Sequence, residues 1–160
     1  MQNLGFTTLE PAKEIDGKIY SDIQQTLALG GLTKGVTNME LNAAYACIAN
    51  GGTYIEPKLY TKVVDHDGNV ILDNTASETR QVFKETTAYL LTSAMSDTLV
   101  RGTGTAANFG GGMPAAGKTG TATDDLGVWF AGYTPYYTAT TWTGYDDNTA
   151  NFSGGNLTLS

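Results

Sequence analysis

Gly117-Lys118-Thr119-Gly120-Thr121 puts a cation, two hydroxyls and a position without a side chain in one short run. Lysine supplies a fixed positive field and the threonines supply directed donors, while a missing Cβ at Gly120 lets a ligand come close to the backbone. Together these groups can hold a carboxylate beside a reacting carbonyl and receive the negative charge that develops on its oxygen. The same letters also satisfy a rival pattern. Gly112-Met113-Pro114-Ala115-Ala116-Gly117-Lys118-Thr119 matches the phosphate-loop expression G-x-x-x-x-G-K-[ST].

The neighbouring elements decide between the two chemistries. A phosphate loop needs a strand before its glycines and a helix after them, so that helix amides face the phosphate. Here a predicted helix precedes the loop, and Gly120-Thr121-Ala122-Thr123 follows, a poor first turn for a helix. As a strand, Lys118 and Gly120 face one way and Thr119 and Thr121 the other. An edge strand of this kind can accept an extended peptide as one more strand and take its terminal carboxylate on the hydroxyls and the lysine. In the bland alternative, Lys118 is a solvated strand residue and the glycines only turn the chain.

Upstream, residues 1–36 read as an irregular lead-in with turns such as Asp16-Gly17. Thr37-Asn38-Met39-Glu40 is a capping box, and Leu41, Ala44, Tyr45 and Ile48 follow at helical spacing until Asn50-Gly51-Gly52. With Ala43, Ala46 and Cys47 on its other side, this helix should be buried nearly all round. Strands around Tyr60–Val64 and Val70–Leu72 flank the turn Asp65-His66-Asp67-Gly68-Asn69, where His66 is a solvated turn residue without a ligand set. A second helix runs from about Glu85 to Val100 with Ala88, Leu91, Met95 and Leu99 on one face, and Gly102 breaks it. A glycine-rich connection then delivers the chain to Lys118. Gly127–Tyr133 and Tyr136–Tyr145 read as two more strands, joined to the lysine strand through Asp124-Asp125 in an antiparallel meander. Residues 37–147 therefore form the structured body, and 148–160 a mobile tail.

The 160 residues, 41% of them hydrophobic, suit one α+β domain in which an antiparallel sheet packs with helices. A formal charge of -7 with no Lys/Arg cluster argues against nucleic acid or an anionic membrane surface as partner. Cys47, the single cysteine, reads as a buried inert thiol, and neither a metal nor an organic cofactor is indicated. No apolar run is long enough to span a bilayer, so an anchor is expected only outside this chain.

Several motifs in order carry a resemblance: Leu27–Gly31, Gly35-Val36-Thr37, Ala49–Gly52, Arg101–Ala106, Gly117–Thr121, Trp129–Pro135 and Gly144–Asp147. Over about Ile23 to Asp147 the chain resembles the transpeptidase domain of class A penicillin-binding proteins. That likeness implies a partial penicillin-binding-protein or serine β-lactamase-like fold and the cross-linking of peptidoglycan. In that reaction a serine attacks the penultimate D-Ala carbonyl of a stem peptide, and β-lactams acylate the same serine. It implies that Lys118 serves the proton network and positive field, that Thr119 and Thr121 bind the carboxylate across Gly120, and that the Thr121 N–H forms half of the oxyanion hole. The implied partners are the stem peptide and β-lactams, at the extracytoplasmic face of a membrane.

The family also uses S-x-x-K and S-x-N, in that order and ahead of K-T-G. No serine here has lysine three residues on or asparagine two residues on. Nucleophile and base act as a unit, so this chain is expected to be an inactive C-terminal fragment of a single domain. Apolar faces left without the upstream half should favour self-association. Leu126-Gly127 stands where relatives often carry an acidic residue. Other accounts are a fragment of a D,D-carboxypeptidase or β-lactamase, a non-catalytic peptide- or muropeptide-binding module, and a phosphate-loop nucleotide binder.

Overall fold

A computed structural model describes residues 1–121 and 127–144. In chain order its elements are β1 (Lys13–Ile15), β2 (Lys18–Tyr20), α1 (Asn38–Ala49), β3 (Thr53–Ile55), β4 (Lys62–Val64) and β5 (Val70–Asp73). β6 (Thr79–Gln81), α2 (Glu85–Arg101), β7 (Ala116–Thr121), β8 (Gly127–Tyr133) and β9 (Thr138–Gly144) follow, with 3-10 turns at Gln2–Leu4, Gln25–Leu29 and Thr105–Ala107. Asp124-Asp125, Leu126 and the segment from Tyr145 onward lie outside the described residues. The architecture is α+β.

The segment read as irregular contains a hairpin. Lys13 pairs with Tyr20 and Ile15 with Lys18, across a turn in which Asp16 and Gly17 have φ of 51° and 76°. Its anchor is Asp22, which is 1% exposed and accepts from the Glu10 amide at 2.8 Å and from the Thr33 amide and hydroxyl at 2.7 Å each. Those bonds, the Glu10 amide first, hold its carboxyl below the usual range. Nothing in the spacing of polar residues signals such a contact, because its partners lie on either side of the hairpin.

α1 begins as its capping box predicts. The Thr37 hydroxyl accepts from the Glu40 amide at 3.2 Å, and the Glu40 carboxylate accepts from the Thr37 amide at 3.0 Å. The same carboxylate also takes the Thr7 amide at 2.7 Å and the Thr7 hydroxyl at 2.8 Å, tying the start of the chain to the helix. Burial alone would raise its pKa, but the bonds from Thr7 and Thr37 outweigh that and hold it at about 2. Ala43, Ala44 and Cys47 are buried, while Leu41, Tyr45 and Ile48 are half-buried and Met39 is exposed, so the helix is less enclosed than its composition suggests. Cys47 is a buried free thiol in a small core with Ala43 and Tyr54, and burial pushes its pKa up.

β4 and β5 form the expected hairpin, with His66 exposed in its turn, 3.2 Å from Asp67. β6 was not expected; it pairs with β3 in a separate two-stranded sheet. On α2, Ala88 and Leu99 are buried but Leu91 is 38% exposed. Thr92 takes its place on the inner face, because its hydroxyl meets the Tyr133 phenol at 2.6 Å as well as the Ala88 carbonyl at 2.9 Å. A hydrophobicity pattern overlooks an inward threonine whose partner is a buried phenol.

The meander has the strand order β7-β8-β9, antiparallel throughout. Both helices lie on one face. Asn42 of α1 donates to the Thr138 carbonyl at 3.3 Å, and Thr92 of α2 reaches Tyr133. On the other face the ring of Phe130 lies over the paired glycines Gly117 and Gly132. A Cβ there would come within 2.8 Å and 2.9 Å of that ring, respectively. These two glycines are a notch for an aromatic ring, not a turn.

Candidate active site

β7 is an edge strand. β8 occupies one side, and no strand pairs with the other among the described residues. Residues that face each other across an antiparallel pair share a face. The register Lys118 to Ala131 and Gly120 to Trp129 therefore puts Lys118 on the helix-backed face, and Thr119 to Phe130 puts Thr119 on the opposite one. Lys118 and Thr121 are exposed, while Thr119 and Gly120 are half-buried. Among the described residues a Cβ on Gly120 would meet only the Trp129 Cβ, at 3.4 Å, which leaves room for a ligand against the backbone there. Trp129, the β8 partner of Gly120, pairs with Trp142 on β9, with ring centroids 6.3 Å apart.

The outer edge of β7 is fixed by side chains. The Thr98 hydroxyl, near the end of α2, donates to the Gly117 carbonyl. Lys118 Nζ curls back to donate to the Thr119 carbonyl at 2.8 Å and stands 3.5 Å from Thr119 Oγ1. Thr103 Oγ1 meets Thr119 Oγ1 at 2.6 Å. Along a strand the N–H and C=O of one residue leave by the same side and alternate from residue to residue. Since the Gly117 and Thr119 carbonyls face away from β8, the amides of Thr119 and Thr121 lie on the open edge as well. The site thus offers an ammonium, a hydroxyl pair and outward amides along one strand.

All four residues anticipated for the site, Lys118, Thr119, Gly120 and Thr121, lie together on β7. Thr98 and Thr103 were not anticipated as its supports. Arg101–Ala106 stood out as a motif, but no spacing rule links its hydroxyl to a residue 16 positions later. The strand, glycine loop and helix order of a phosphate loop does not occur around residues 112–119, where 3-10 turn and loop lead directly into β7. Behind the strand, burial pushes the Tyr133 phenol up, although the Thr92 hydrogen bond opposes this. Burial likewise raises Tyr45, with Tyr133 nearby adding to it. Among the described residues no cluster of His, Cys, Asp and Glu could hold a metal ion, and no helix is long and apolar enough to cross a membrane.

This α+β architecture matches penicillin-binding proteins of known structure. The penicillin-binding protein PonA1 from Mycobacterium tuberculosis superposes with a TM-score of 0.70 at 27% identity, over 98% of this chain and 43% of that one. Its complex with penicillin V gives 0.67 at 28% identity, over 89% and 39%. The family model for the penicillin-binding protein transpeptidase domain matches residues 1–156, and the chain belongs to that family. Penicillin-binding protein 1A of Clostridium acetobutylicum is 44% identical over 131 residues, 81% of this chain and 16% of that protein. Penicillin-binding protein 1F of Bacillus subtilis is 35% identical over 158 residues, 94% of this chain and 22% of its own length. The chain therefore spans about a fifth or less of the curated relatives it matches.

Proposed function

We propose that this chain forms one wall of the active site of an extracytoplasmic peptidoglycan D,D-transpeptidase and is inactive by itself. The observation that carries this reading is the outer edge of β7, where Lys118, the Thr119 hydroxyl and the outward amide of Thr121 line up beside an open glycine. A stem peptide ending in D-Ala-D-Ala would lie along that edge as an added strand. The hydroxyls of Thr119 and Thr121 would take its carboxylate, with the Lys118 charge supporting them. The Thr121 N–H would then face the oxygen of the penultimate D-Ala carbonyl. When a serine attacks, negative charge grows on that oxygen and the amide stabilises it. The serine of S-x-x-K and the residues of S-x-N must come from a segment outside residues 1–160. A β-lactam would present its own carboxylate and carbonyl to the same groups.

Fluorescent penicillin tests this account. The chain alone should remain unlabelled. A protein encoding S-x-x-K and S-x-N in frame ahead of these residues should be acylated, and Lys118→Ala should slow that acylation about 10²–10³-fold. Labelling of the isolated chain would overturn the inactive-wall reading. Undiminished acylation in Lys118→Ala would remove Lys118 from the chemistry.

The absence of both serine motifs from residues 1–160 favours a second reading, a non-catalytic muropeptide-binding module. It requires saturable binding of a D-Ala-D-Ala peptide by the chain, lost in Lys118→Ala or Thr121→Ala, together with no acylation of the native protein by fluorescent penicillin.

A further inference from the structure

We infer that Thr103 is a positioning residue for carboxylate recognition, one that commits the Thr119 hydroxyl to donate outward. The inference rests on the reading of β7 as a carboxylate site and adds a residue to which that reading gives no role. A hydroxyl has one proton to give and room to accept two. Thr119 Oγ1 lies 2.6 Å from Thr103 Oγ1 and 3.5 Å from Lys118 Nζ. The ammonium can only donate. If Thr103 donates as well, both acceptor positions of the Thr119 oxygen are filled, and its proton must point to a third group. A carboxylate on the β7 edge is an acceptor only, so the chain runs from Thr103 to Thr119 to the anion, with each bond polarising the next. Were Thr119 instead to donate to Thr103, no proton would remain for the ligand.

The backbone keeps the two hydroxyls together. Thr103 follows the C-cap Gly102, where an added Cβ would come within 2.7 Å of the Thr98 Cα, and the Gly104 amide donates to the Thr98 carbonyl at 3.1 Å. The end of α2 therefore holds Thr103 against β7, while Thr98 grips the Gly117 carbonyl two residues before Thr119.

The test is a titration of the isolated chain, followed by amide chemical shifts, with an acetylated peptide ending in D-Ala-D-Ala and with the same peptide as its C-terminal amide. Loss of the neutral hydrogen bond that orients and polarises the Thr119 hydroxyl predicts that Thr103→Val weakens binding of the acid about two- to tenfold. The amide form should be unaffected, and Thr103→Ser should restore the acid. Thr103→Ala should behave like Thr103→Val, which separates hydroxyl loss from any misfit of the valine. Equal weakening toward acid and amide, or no rescue by serine, would make Thr103 merely structural and overturn the inference. Selective binding of the acid that is lost in Lys118→Ala yet unchanged in Thr103→Val would overturn the inference and leave the carboxylate site standing. If the unaltered chain shows no preference for the acid, the carboxylate site and the inference fall together.

Discussion

The β7–β9 meander and the β4–β5 hairpin are built from similar residues and end in opposite states. In the meander, β8 has Val128, Ala131 and Tyr133 buried; helices cover the face of Ala131 and Tyr133, and Phe130 closes over two glycines on the other. In the hairpin, Val64, Val70, Ile71 and Leu72 are each at least half exposed, and among the described residues β4 and β5 pair with no strand but each other. Apolar, β-branched sequence makes a strand in both places, but only a partner makes a core. The contrast teaches where stability resides and where spare apolar surface lies.

The sharpest way to break the contrast is Gly132→Ala. Its Cβ would fall 2.9 Å from the Phe130 ring and 3.1 Å from the Ala116 carbonyl oxygen, an overpacking that should cost about 1–3 kcal/mol in urea denaturation. Gly68→Ala in the β4–β5 turn meets nothing within 4 Å and is strained only by its φ of 84°, so its effect on global unfolding should be smaller.

Glu40→Gln comes next, at about 1 kcal/mol, since it weakens both the cap of α1 and the tie to Thr7. Its pH dependence has a definite sign. The folded pKa of about 2 lies below the ordinary 4.5, so the contribution of Glu40 is complete above pH 4.5 and disappears as pH falls through about 2. The stability difference between the unaltered chain and Glu40→Gln should shrink across that window in acid titrations of the melting temperature.

Thr92→Val should cost about 1 kcal/mol by leaving the buried Tyr133 phenol without its partner. The smallest effect belongs to the hairpin. Ile71→Ser and Leu72→Ser should change stability by less than about 0.5 kcal/mol while lowering the mass of any self-associated species in light scattering. An unchanged mass would locate the sticky surface elsewhere.

Where a local signal and its partner lie close in sequence, the fold is legible. Thr37 and Glu40 announce α1, Gly102 ends α2, and the run from Trp129 to Pro135 marks β8 and its turn. Lys118 to Thr121 were recognisable as a strand because β-branched residues and glycine there disfavour a helix. What escaped depends on distance. β6 becomes a strand only by pairing with β3, Asp22 gathers partners from both sides of a hairpin, and Thr92 turns inward for a phenol 41 positions away. Likewise, the hydroxyls of Thr98 and Thr103 acquire meaning only once α2 ends beside β7.

The alternation along β7 has a readout that requires neither ligand nor nucleophile. By strand alternation the amides of Lys118 and Gly120 point into the ladder with β8, and those of Thr119 and Thr121 away from it. In deuterium oxide the strand should label in a zigzag, with Thr119 and Thr121 exchanging fast and their neighbours slowly. An added peptide strand would slow the fast pair, making those two amides a built-in gauge of edge occupancy.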